Sequence, residues 1–226
     1  MPSDKLIVSL DGSHTIESQQ FGVTYHSKYG SIQETQTVFL DAGYHYLRSL
    51  GRAEVSILEM GFGTGLNALM TYLIAEQDNA SVNYHTIEAY PISLATAEQL
   101  NYPHVLENED ANPTLMGMHQ APSGTTKELS HTFRFTKHIT LLEDFQTTQK
   151  FDLIYYDAFA PTSQEHLWTP EMMQQIASYC APEAVLVTYC AKGSFKRALR
   201  SAGFTVEGIP GPIGKREMTR ATYSGT

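Results

Sequence analysis

Residues 55–67 decide the fold, and they read Val55-Ser56-Ile57-Leu58-Glu59-Met60-Gly61-Phe62-Gly63-Thr64-Gly65-Leu66-Asn67. A short apolar run that contains β-branched residues ends at three glycines spaced by two, and apolar residues at helical spacing follow. The pattern predicts a strand, a tight loop and a helix. Glycines let a ligand approach the main chain closely, and the first turn of a helix offers it unpaired N–H groups.

The glycine spacing bears on which ligand this loop binds. A dinucleotide-binding loop has the pattern G-x-G-x-x-G and receives a pyrophosphate at the helix start. Here the pattern is Glu59-x-Gly61-x-Gly63-x-Gly65. A carboxylate before the first glycine would repel a pyrophosphate, but it suits the ammonium group of S-adenosylmethionine. We therefore expect S-adenosylmethionine as the ligand, with NAD on a Rossmann loop as the alternative.

The rest of the chain alternates strands and helices. Strands are predicted at 55–60, 82–87, 133–139, 151–156, 184–190, 205–209 and 215–222, and helices after residue 66 and at 91–100, 164–180 and 193–202. Residues 101–132 are predicted to be turns with one short helix at 114–120. This order predicts an α/β fold with a mostly parallel seven-stranded sheet, an antiparallel strand at its edge, and ligands at the carboxyl ends of the strands.

Residues 1–50 precede this core as an N-terminal extension, and residues 51–226 form the core, within one predicted domain. Asp11-Gly12 between two extended segments predicts a β-hairpin with a type I′ turn. A helix is predicted to end near residue 50. We expect the extension to cover one side of the site.

Composition limits the possible classes of protein. The chain has 226 residues, of which 42% are hydrophobic and 17% charged, which is typical of a soluble protein with one sizeable core. It has no apolar run near the ~18 residues of a membrane span and no leader-like N-terminus. We therefore expect a cytoplasmic protein that contacts no membrane. The nine histidines are scattered, so we predict no metal site.

The charge is unevenly distributed along the chain. The net charge is −9, yet residues 192–226 hold seven of the 15 Lys and Arg and only two of the 24 Asp and Glu. Lys192, Arg197, Lys215 and Arg216 belong to this basic segment. They could neutralise the phosphates of a nucleic acid or lie on a solvated face, and the charge pattern alone leaves both possibilities open.

Acidic residues follow two of the predicted strands. Glu88 ends the second core strand, where a carboxylate accepts the ribose hydroxyls of a nucleotide in this kind of sheet. The alternative for Glu88 is a solvated acid at a strand end. Asp144, beside Glu143, follows the third core strand and could meet the adenine amino group or simply begin a helix.

Asp157 ends the strand that lies nearest the expected donor methyl group. An alkylamine with a pKa near ~10 is mostly protonated at neutral pH, so a carboxylate that orients it and takes its proton would assist methylation. Phe159 can present its ring face to a cation. Amino-group methyltransferases place a D/N-P-P-Y/F motif here, whereas this chain has Asp157-Ala158-Phe159-Ala160. The alternative is an Asp that only caps its loop.

Several segments together carry a family resemblance that covers nearly the whole chain. They are 61–67, 157–161, 167–169, 197–204 and 214–218. The chain resembles the methyltransferase part of the MnmC family, the bifunctional tRNA 5-methylaminomethyl-2-thiouridine biosynthesis proteins. Residues 30–39, with Glu34, resemble the family's segment before the donor site.

The resemblance implies a Rossmann-like class I methyltransferase that methylates the 5-aminomethyl group of the wobble uridine in the anticodon arm of tRNA. It implies that Glu59, Gly61, Phe62, Gly63, Gly65, Asn67 and Glu88 hold the donor, that Asp157 faces the donor and deprotonates the amine, and that Phe159 walls the pocket. We expect no FAD, because the oxidase half of the family is not seen in the sequence, and no obligate protein partner. A methyltransferase of small-molecule amines and a non-catalytic binding module remain alternatives.

Overall fold

The structure is a computed structural model that describes residues 5–18 and 22–225. Residues 1–4, on which the prediction of no leader partly rests, lie outside the described residues. The strands are β1 (Lys5–Val8), β2 (His14–Ser18), β3 (Val23–Thr24), β4 (Glu54–Met60), β5 (Ser81–Glu88), β6 (Thr126–Glu128), β7 (Phe133–Ile139), β8 (Phe151–Tyr156), β9 (Cys180–Thr188), β10 (Phe204–Pro210) and β11 (Glu217–Tyr223). Strands β1 to β3 form a small sheet, and the others form an eight-stranded sheet in the order β10-β11-β9-β8-β4-β5-β7-β6.

The centre of the large sheet is parallel, as predicted. Strand β4 pairs in parallel with β5 and β8, while β7 and β9 continue the parallel sheet on either side. Successive side chains of a strand point to opposite faces, so Ile57 belongs to one hydrophobic cluster and Leu58 to the other. Because both faces are buried, β8 and β9 contain continuous apolar runs, at residues 153–156 and 184–187. The predicted α/β fold is confirmed.

The antiparallel part of the sheet differs from the prediction. Strand β11 was expected at the edge, but it pairs with both β9 and β10, so β10 is the edge strand. Gly208 weakens β10 and Pro210 lacks a backbone donor, and both are best tolerated at an edge. An eighth strand, β6, pairs antiparallel with β7 at the other edge and comes from the stretch predicted as turns.

The helices cover the two faces of the sheet. They are α1 (Ser31–Thr35), a π-helical segment (Gln36–His45), α2 (Tyr46–Ser49), α3 (Leu66–Gln77), α4 (Leu94–Ala97), α5 (Tyr102–Val105), a 3-10 turn (Glu109–Ala111), α6 (Asn112–His119), a second 3-10 turn (Glu165–Trp168), α7 (Pro170–Tyr179) and α8 (Gly193–Ser201). The predicted helix 91–100 shortens to α4, because Ser93 rather than Pro91 begins it and accepts a hydrogen bond from the Thr96 N–H.

The helical segment 31–49 packs directly on the sheet. Val38, Phe39 and Leu40 are buried in the same hydrophobic cluster as the strands. At Gly43 the helix comes so close that a Cβ would lie 3.1 Å from the Val187 side chain. The end of the predicted extension is therefore part of the core, and it gives residues 25–34 a rigid support beside the site.

The N-terminal hairpin is present, but its turn is not type I′. Strands β1 and β2 pair antiparallel with Val8 opposite His14, which leaves a five-residue connection. A type I′ turn needs positive φ at both central residues, and of Asp11 and Gly12 only Gly12 has it. The Asp11 carboxylate instead accepts hydrogen bonds from the backbone N–H groups of Ser13 and Gln33.

Candidate active site

A cavity opens at the carboxyl ends of β4, β5, β7 and β8. It is lined by residues 60–64, 66, 67, 87–90, 140–143, 157–159, 164, 166 and 167, together with Tyr25 and His26. The open α/β sheet predicts a ligand site at this position. Tyr25 and His26 come from the N-terminal extension, which therefore covers part of the site as expected.

The glycine loop forms the floor of the cavity. Gly61 has φ +92°, and a Cβ there would lie 2.9 Å from the Asp157 carbonyl oxygen. Gly63 has φ +52°, and a Cβ there would lie 2.8 Å from the Tyr25 ring. Gly65 precedes the first residue of α3. The loop can follow this path because its three glycines lack side chains, and it leaves main chain exposed to a ligand.

Glu88 stands at the cavity wall with its carboxylate fixed by the backbone. Oε2 accepts the Gly63 N–H at 2.8 Å, and Oε1 accepts the Tyr90 N–H at 2.7 Å. Burial raises the pKa of Glu88, and these two hydrogen bonds oppose that shift. Each carboxylate oxygen keeps a lone pair, so Glu88 can still accept two hydroxyl groups of a ligand.

Glu59, which we expected beside the donor, does not line the cavity. Its side chain is fully buried on the same face of β4 as Ile57, whereas Met60, one residue later, reaches the cavity. Among the described residues, nothing forms a hydrogen bond of acceptable geometry with its carboxylate or with the nearby hydroxyls of Tyr84 and Thr86. Burial raises the pKa of Glu59 to about 8. The predicted direct contact with the donor ammonium is therefore wrong in this structure.

Phe62 lines the cavity and is supported by residues that the sequence did not single out. Its ring meets the His119 ring edge-on at 4.9 Å, and the Lys137 ammonium lies 5.4 Å from its centroid. Lys137 is only 2% exposed and donates to the carbonyls of Met118 and His119, at the end of α6. The stretch 101–132 thus covers Phe62. Lys137 lies inside a strand with no motif around it, so nothing in the sequence indicated this role.

Of the two acids that could meet the adenine amino group, Glu143 lines the cavity and Asp144 does not, although both are exposed. The Glu143 carboxylate lies 3.1 Å from His166 Nε2, which also lines the cavity. Residues 142–144 form a turn, and in a turn no periodic pattern fixes the direction of a side chain, so the sequence could not distinguish the two acids.

Asp157 lies where the cavity meets the extension. Its backbone N–H donates to the Met60 carbonyl, and its Oδ2 accepts the Asn67 amide at 2.8 Å. Asn67 is itself oriented by Thr35, whose hydroxyl donates to Asn67 Oδ1 at 2.8 Å. Burial and then the charge of Glu34 raise the pKa of Asp157 well above its usual value. Among the described residues, no group donates a hydrogen bond to Asp157 Oδ1, so this oxygen is open to a ligand.

Phe159 and Tyr25 form an aromatic wall next to Asp157. Their rings meet edge-on with centroids 5.0 Å apart, and both line the cavity. The backbone of Phe159 is held on both sides, by Gln164 Oε1 at 3.1 Å and by Trp168 Nε1 at 2.9 Å. The predicted position of Phe159 at the pocket wall agrees with this geometry.

Glu34 and Lys215 pair with each other behind Asp157. Lys215 Nζ lies 2.8 Å from Glu34 Oε1, and Glu34 Oε2 accepts the Ser27 N–H. The ammonium also lies 3.8 Å from the centroid of the Tyr189 ring. Neither Glu34 nor Lys215 lines the cavity. Lys215 is one of the basic residues that the sequence left open as phosphate contacts or as part of a solvated face, and in the structure its charge is compensated by the buried Glu34 carboxylate.

The other predicted basic residues are exposed and lie outside the cavity. Within residues 5–18 and 22–225, Lys192, Arg197 and Arg216 have no carboxylate within 4.0 Å. Lys192 and Arg197 lie along a second groove at the start of α8. Arg216 follows Lys215 in the turn before β11.

Two kinds of feature are absent from the described residues. No group of three or more His, Cys, Asp or Glu side chains there is arranged to hold a metal ion. No helix there is long and apolar enough to cross a membrane.

Comparison with known proteins identifies the fold and the relatives. A family described as S-adenosyl-L-methionine-dependent methyltransferase matches residues 124–224. The tRNA 5-methylaminomethyl-2-thiouridine biosynthesis bifunctional protein MnmC of Pseudomonas aeruginosa (strain UCBPP-PA14) is 31% identical over 221 residues, covering 92% of this chain and 33% of the relative. The protein of the same name from Aromatoleum aromaticum is 29% identical and covers 99% of this chain and 36% of the relative.

The fold is also found in a solved structure. The crystal structure of MNMC2 from Aquifex aeolicus superposes with a TM-score of 0.80 and 20% identity, covering all of this chain and 72% of that one. The chain spans about a third of the length of the curated relatives it matches. The family match and the curated relatives confirm the predicted resemblance to the methyltransferase domain of MnmC, and the solved structure shows the same fold.

Proposed function

We propose that this domain transfers the methyl group of S-adenosyl-L-methionine to the 5-aminomethyl group of the wobble uridine in tRNA, giving 5-methylaminomethyl-(2-thio)uridine. The observation that carries the proposal is the Asp157 carboxylate. One of its oxygens is fixed by Asn67 and the other is open, beside an aromatic wall and at the rim of the donor cavity. This arrangement suits a protonated amine, and the names of the curated relatives point to a modified tRNA uridine.

The cavity fits the donor. The glycines of loop 61–65 leave main chain bare at the cavity, and Glu88, which accepts the Gly63 N–H at the end of the neighbouring strand, offers two carboxylate oxygens beside it. We assign the loop to the methionyl part, Glu88 to the ribose hydroxyls and Glu143 to the adenine end, with Phe62 and Asn67 as walls. When bound, S-adenosyl-L-methionine supplies an electrophilic methyl group on a sulfonium.

Asp157 handles the proton of the amine. A primary ammonium with a pKa near ~10 must lose a proton before its nitrogen can act as a nucleophile. Asp157 Oδ1 accepts that proton, while Asn67 holds Oδ2 and fixes the direction of the carboxylate. Because the pKa of Asp157 is raised, its carboxylate is a stronger base than an ordinary aspartate. Phe159 and Tyr25 confine the amine and exclude water from it.

We place the anticodon arm of tRNA on the exposed basic residues. Lys192, Arg197 and Arg216 have no carboxylate partner among the described residues, so their charges are available to phosphates. The proposal does not include any activity of the other two thirds of the relatives' sequences, which this chain does not match. The cytoplasmic location, the absence of FAD and of an obligate protein partner, and the division of the chain at residue 50 stay predictions.

One observation favours a second candidate, methylation of a small-molecule amine. In the basic segment, Lys196, Lys215 and Arg220 form ion pairs with Glu217, Glu34 and Glu207. These pairs reduce the charge that remains for tRNA. A small amine would need only the acidic and aromatic end of the cavity.

Mass spectrometry of nucleosides tests these functions against each other. The protein is incubated with labelled donor and, in separate reactions, with tRNA carrying 5-aminomethyluridine, with unmodified tRNA and with simple alkylamines. The proposal expects a label on the aminomethyl nucleoside of the first tRNA and none on unmodified tRNA. A label only on the alkylamines would favour the second candidate. Donor or tRNA binding without any transfer would favour a non-catalytic module.

A further inference from the structure

The Glu34–Lys215 pair joins two segments that are far apart in the chain. Glu34 lies in α1 and is 6% exposed, and Lys215 lies in the turn between β10 and β11. Next to Lys215, Gly214 has φ +86° and packs against the Tyr29 ring so closely that a Cβ would collide with it. The turn is therefore held against the N-terminal segment, and the position of the Lys215 ammonium is fixed.

This pair is connected to Asp157 on both sides: Thr35, next to Glu34, orients the Asn67 amide that donates to Asp157, and Tyr189, whose ring lies under the Lys215 ammonium, donates to the carbonyl of Ala158, next to Asp157. The titratable and polar groups that interact with Asp157, one from each surrounding element, are Glu34 from α1, Glu59 from β4, Tyr84 from β5, Asn67 from α3, Tyr189 after β9 and Lys215. Glu34 and Glu59 raise the pKa of Asp157, whereas Asn67 and Lys215 lower it. Within the described part of the chain, Lys215 is the cation of this group.

We propose that Lys215 is a positioning residue for methyl transfer, whose ammonium neutralises Glu34 and so keeps Asp157 available as a proton acceptor at neutral pH. This inference rests on the proposed function of Asp157. It differs from a role in phosphate binding, because the Lys215 ammonium, although partly exposed, is already paired with a buried carboxylate and lies over the face of Tyr189. The cation therefore acts on Asp157 from outside the cavity lining.

The test is the pH dependence of kcat/KM for aminomethylated tRNA. Lys215→Met leaves Glu34 uncompensated, so we expect the acidic limb of the profile to move up by about one pH unit, with about a tenfold loss of kcat/KM below the limb and recovery at high pH. Glu34→Gln should move the limb in the opposite direction, and the double variant should lie near the native profile. Lys215→Arg keeps the positive charge, so its acidic limb should lie at the native position.

Arg200→Met is the matched control, because it removes an exposed positive charge from the same basic segment. A purely structural role of Lys215 would lower kcat/KM equally at all pH values, and a purely phosphate-binding role would change KM and the salt dependence without moving the limb. Either result would overturn the proposal. If Lys215→Met does not fold, the opposite shift expected of Glu34→Gln and the rescue by Lys215→Arg still decide the matter.

A second readout needs no substrate. Side-chain carboxyl carbons of the aspartates, labelled with ¹³C and assigned with Asp157→Asn, report the titration of Asp157 in the free protein. We expect its midpoint to rise in Lys215→Met and to fall in Glu34→Gln, with Arg200→Met unchanged. A midpoint that stays the same in all three variants contradicts the inference. Because this measurement does not depend on tRNA, the inference can stand or fall separately from the proposed function.

Discussion

The proposed donor side and the proposed substrate side of the site are built in different ways. The donor side is local in sequence: the loop 61–65 follows one strand, and its backbone is tied to Glu88 at the end of the neighbouring strand. The substrate side joins residues from both ends of the chain, such as the pair of Glu34 and Lys215, which are 181 residues apart. The donor side therefore uses mainly backbone geometry, whereas the substrate side uses the charges of side chains brought together by the fold.

The first prediction concerns Glu59, which lies behind the donor side without contacting the cavity. Its pKa of about 8, against an ordinary value of 4.5, means that the folded state keeps a proton that the unfolded state has lost. The free energy of unfolding should therefore fall as pH rises from about 4.5 to 8, by about 4–5 kcal/mol at 1.36 kcal/mol per pKa unit. Glu59→Gln should remove the part of the pH dependence that Glu59 contributes and leave the part that comes from the raised pKa values of Asp157 and Glu88, as measured by urea unfolding at pH 5 and pH 8.5.

Glu128→Gln, in which an exposed carboxylate is replaced, is the control and should behave as the native protein does. The same Glu59 variant should bind S-adenosyl-L-methionine with an affinity close to the native one. A large loss of donor affinity would mean that Glu59 does reach the donor, and the donor side would then depend on a side chain that this structure places behind it.

The second prediction concerns the base on the substrate side. Asp157→Asn keeps the shape of the side chain but cannot accept the amine's proton, so methyl transfer should fall by about 10² or more. Donor affinity should change by no more than a few-fold. Single-turnover rates and calorimetry measure the two effects. Turnover close to the native rate would assign deprotonation to another group or to water.

The difference between residues that are close in sequence and residues that the fold brings together also explains how much of the molecule could be predicted from its sequence. The glycine loop, the parallel strands and Glu88 were predictable, because short-range spacing and strand ends determine them. Three features could not be predicted, because each depends on packing between distant segments. They are the side of β4 that Glu59 occupies, the buried Lys137 and the partner of Lys215. Strand β10 took the edge that was predicted for β11, since the two strands have equal lengths and only the pairing of β11 with β9 and the edge-compatible Gly208 and Pro210 of β10 distinguish them.

The third prediction concerns the side chain on which the donor side depends most. Glu88→Ala removes the two hydrogen bonds expected to the ribose hydroxyls, each worth about 1.5–3 kcal/mol when the acceptor is charged, so S-adenosyl-L-methionine should bind at least tenfold more weakly. Calorimetry should show one donor per native protein and no NAD binding. If NAD bound as strongly as S-adenosyl-L-methionine, the loop would be a dinucleotide-binding loop instead.

The smallest expected effect is on the surface outside the cavity. Lys192 and Arg197 have no carboxylate partner among the described residues, whereas Lys196, in the same helix, pairs with Glu217. With Arg216 they provide about three phosphate contacts, which predicts a slope of roughly −2 to −3 for the logarithm of the tRNA association constant against the logarithm of salt concentration. Replacing Lys192 and Arg197 by Met should reduce that slope by about one to two and leave donor binding unchanged.

Lys196→Met is the control for this last measurement, because its charge is already paired and its loss should change the slope less than the loss of either free cation. The comparison is informative in both directions. Equal slopes in all variants would make the basic segment a solvated face and strengthen the case for a small-molecule amine. A large effect of Lys196→Met on the slope would mean that tRNA breaks the ion pair between Lys196 and Glu217. The paired cations, including Lys215, would then have to be counted among the phosphate contacts.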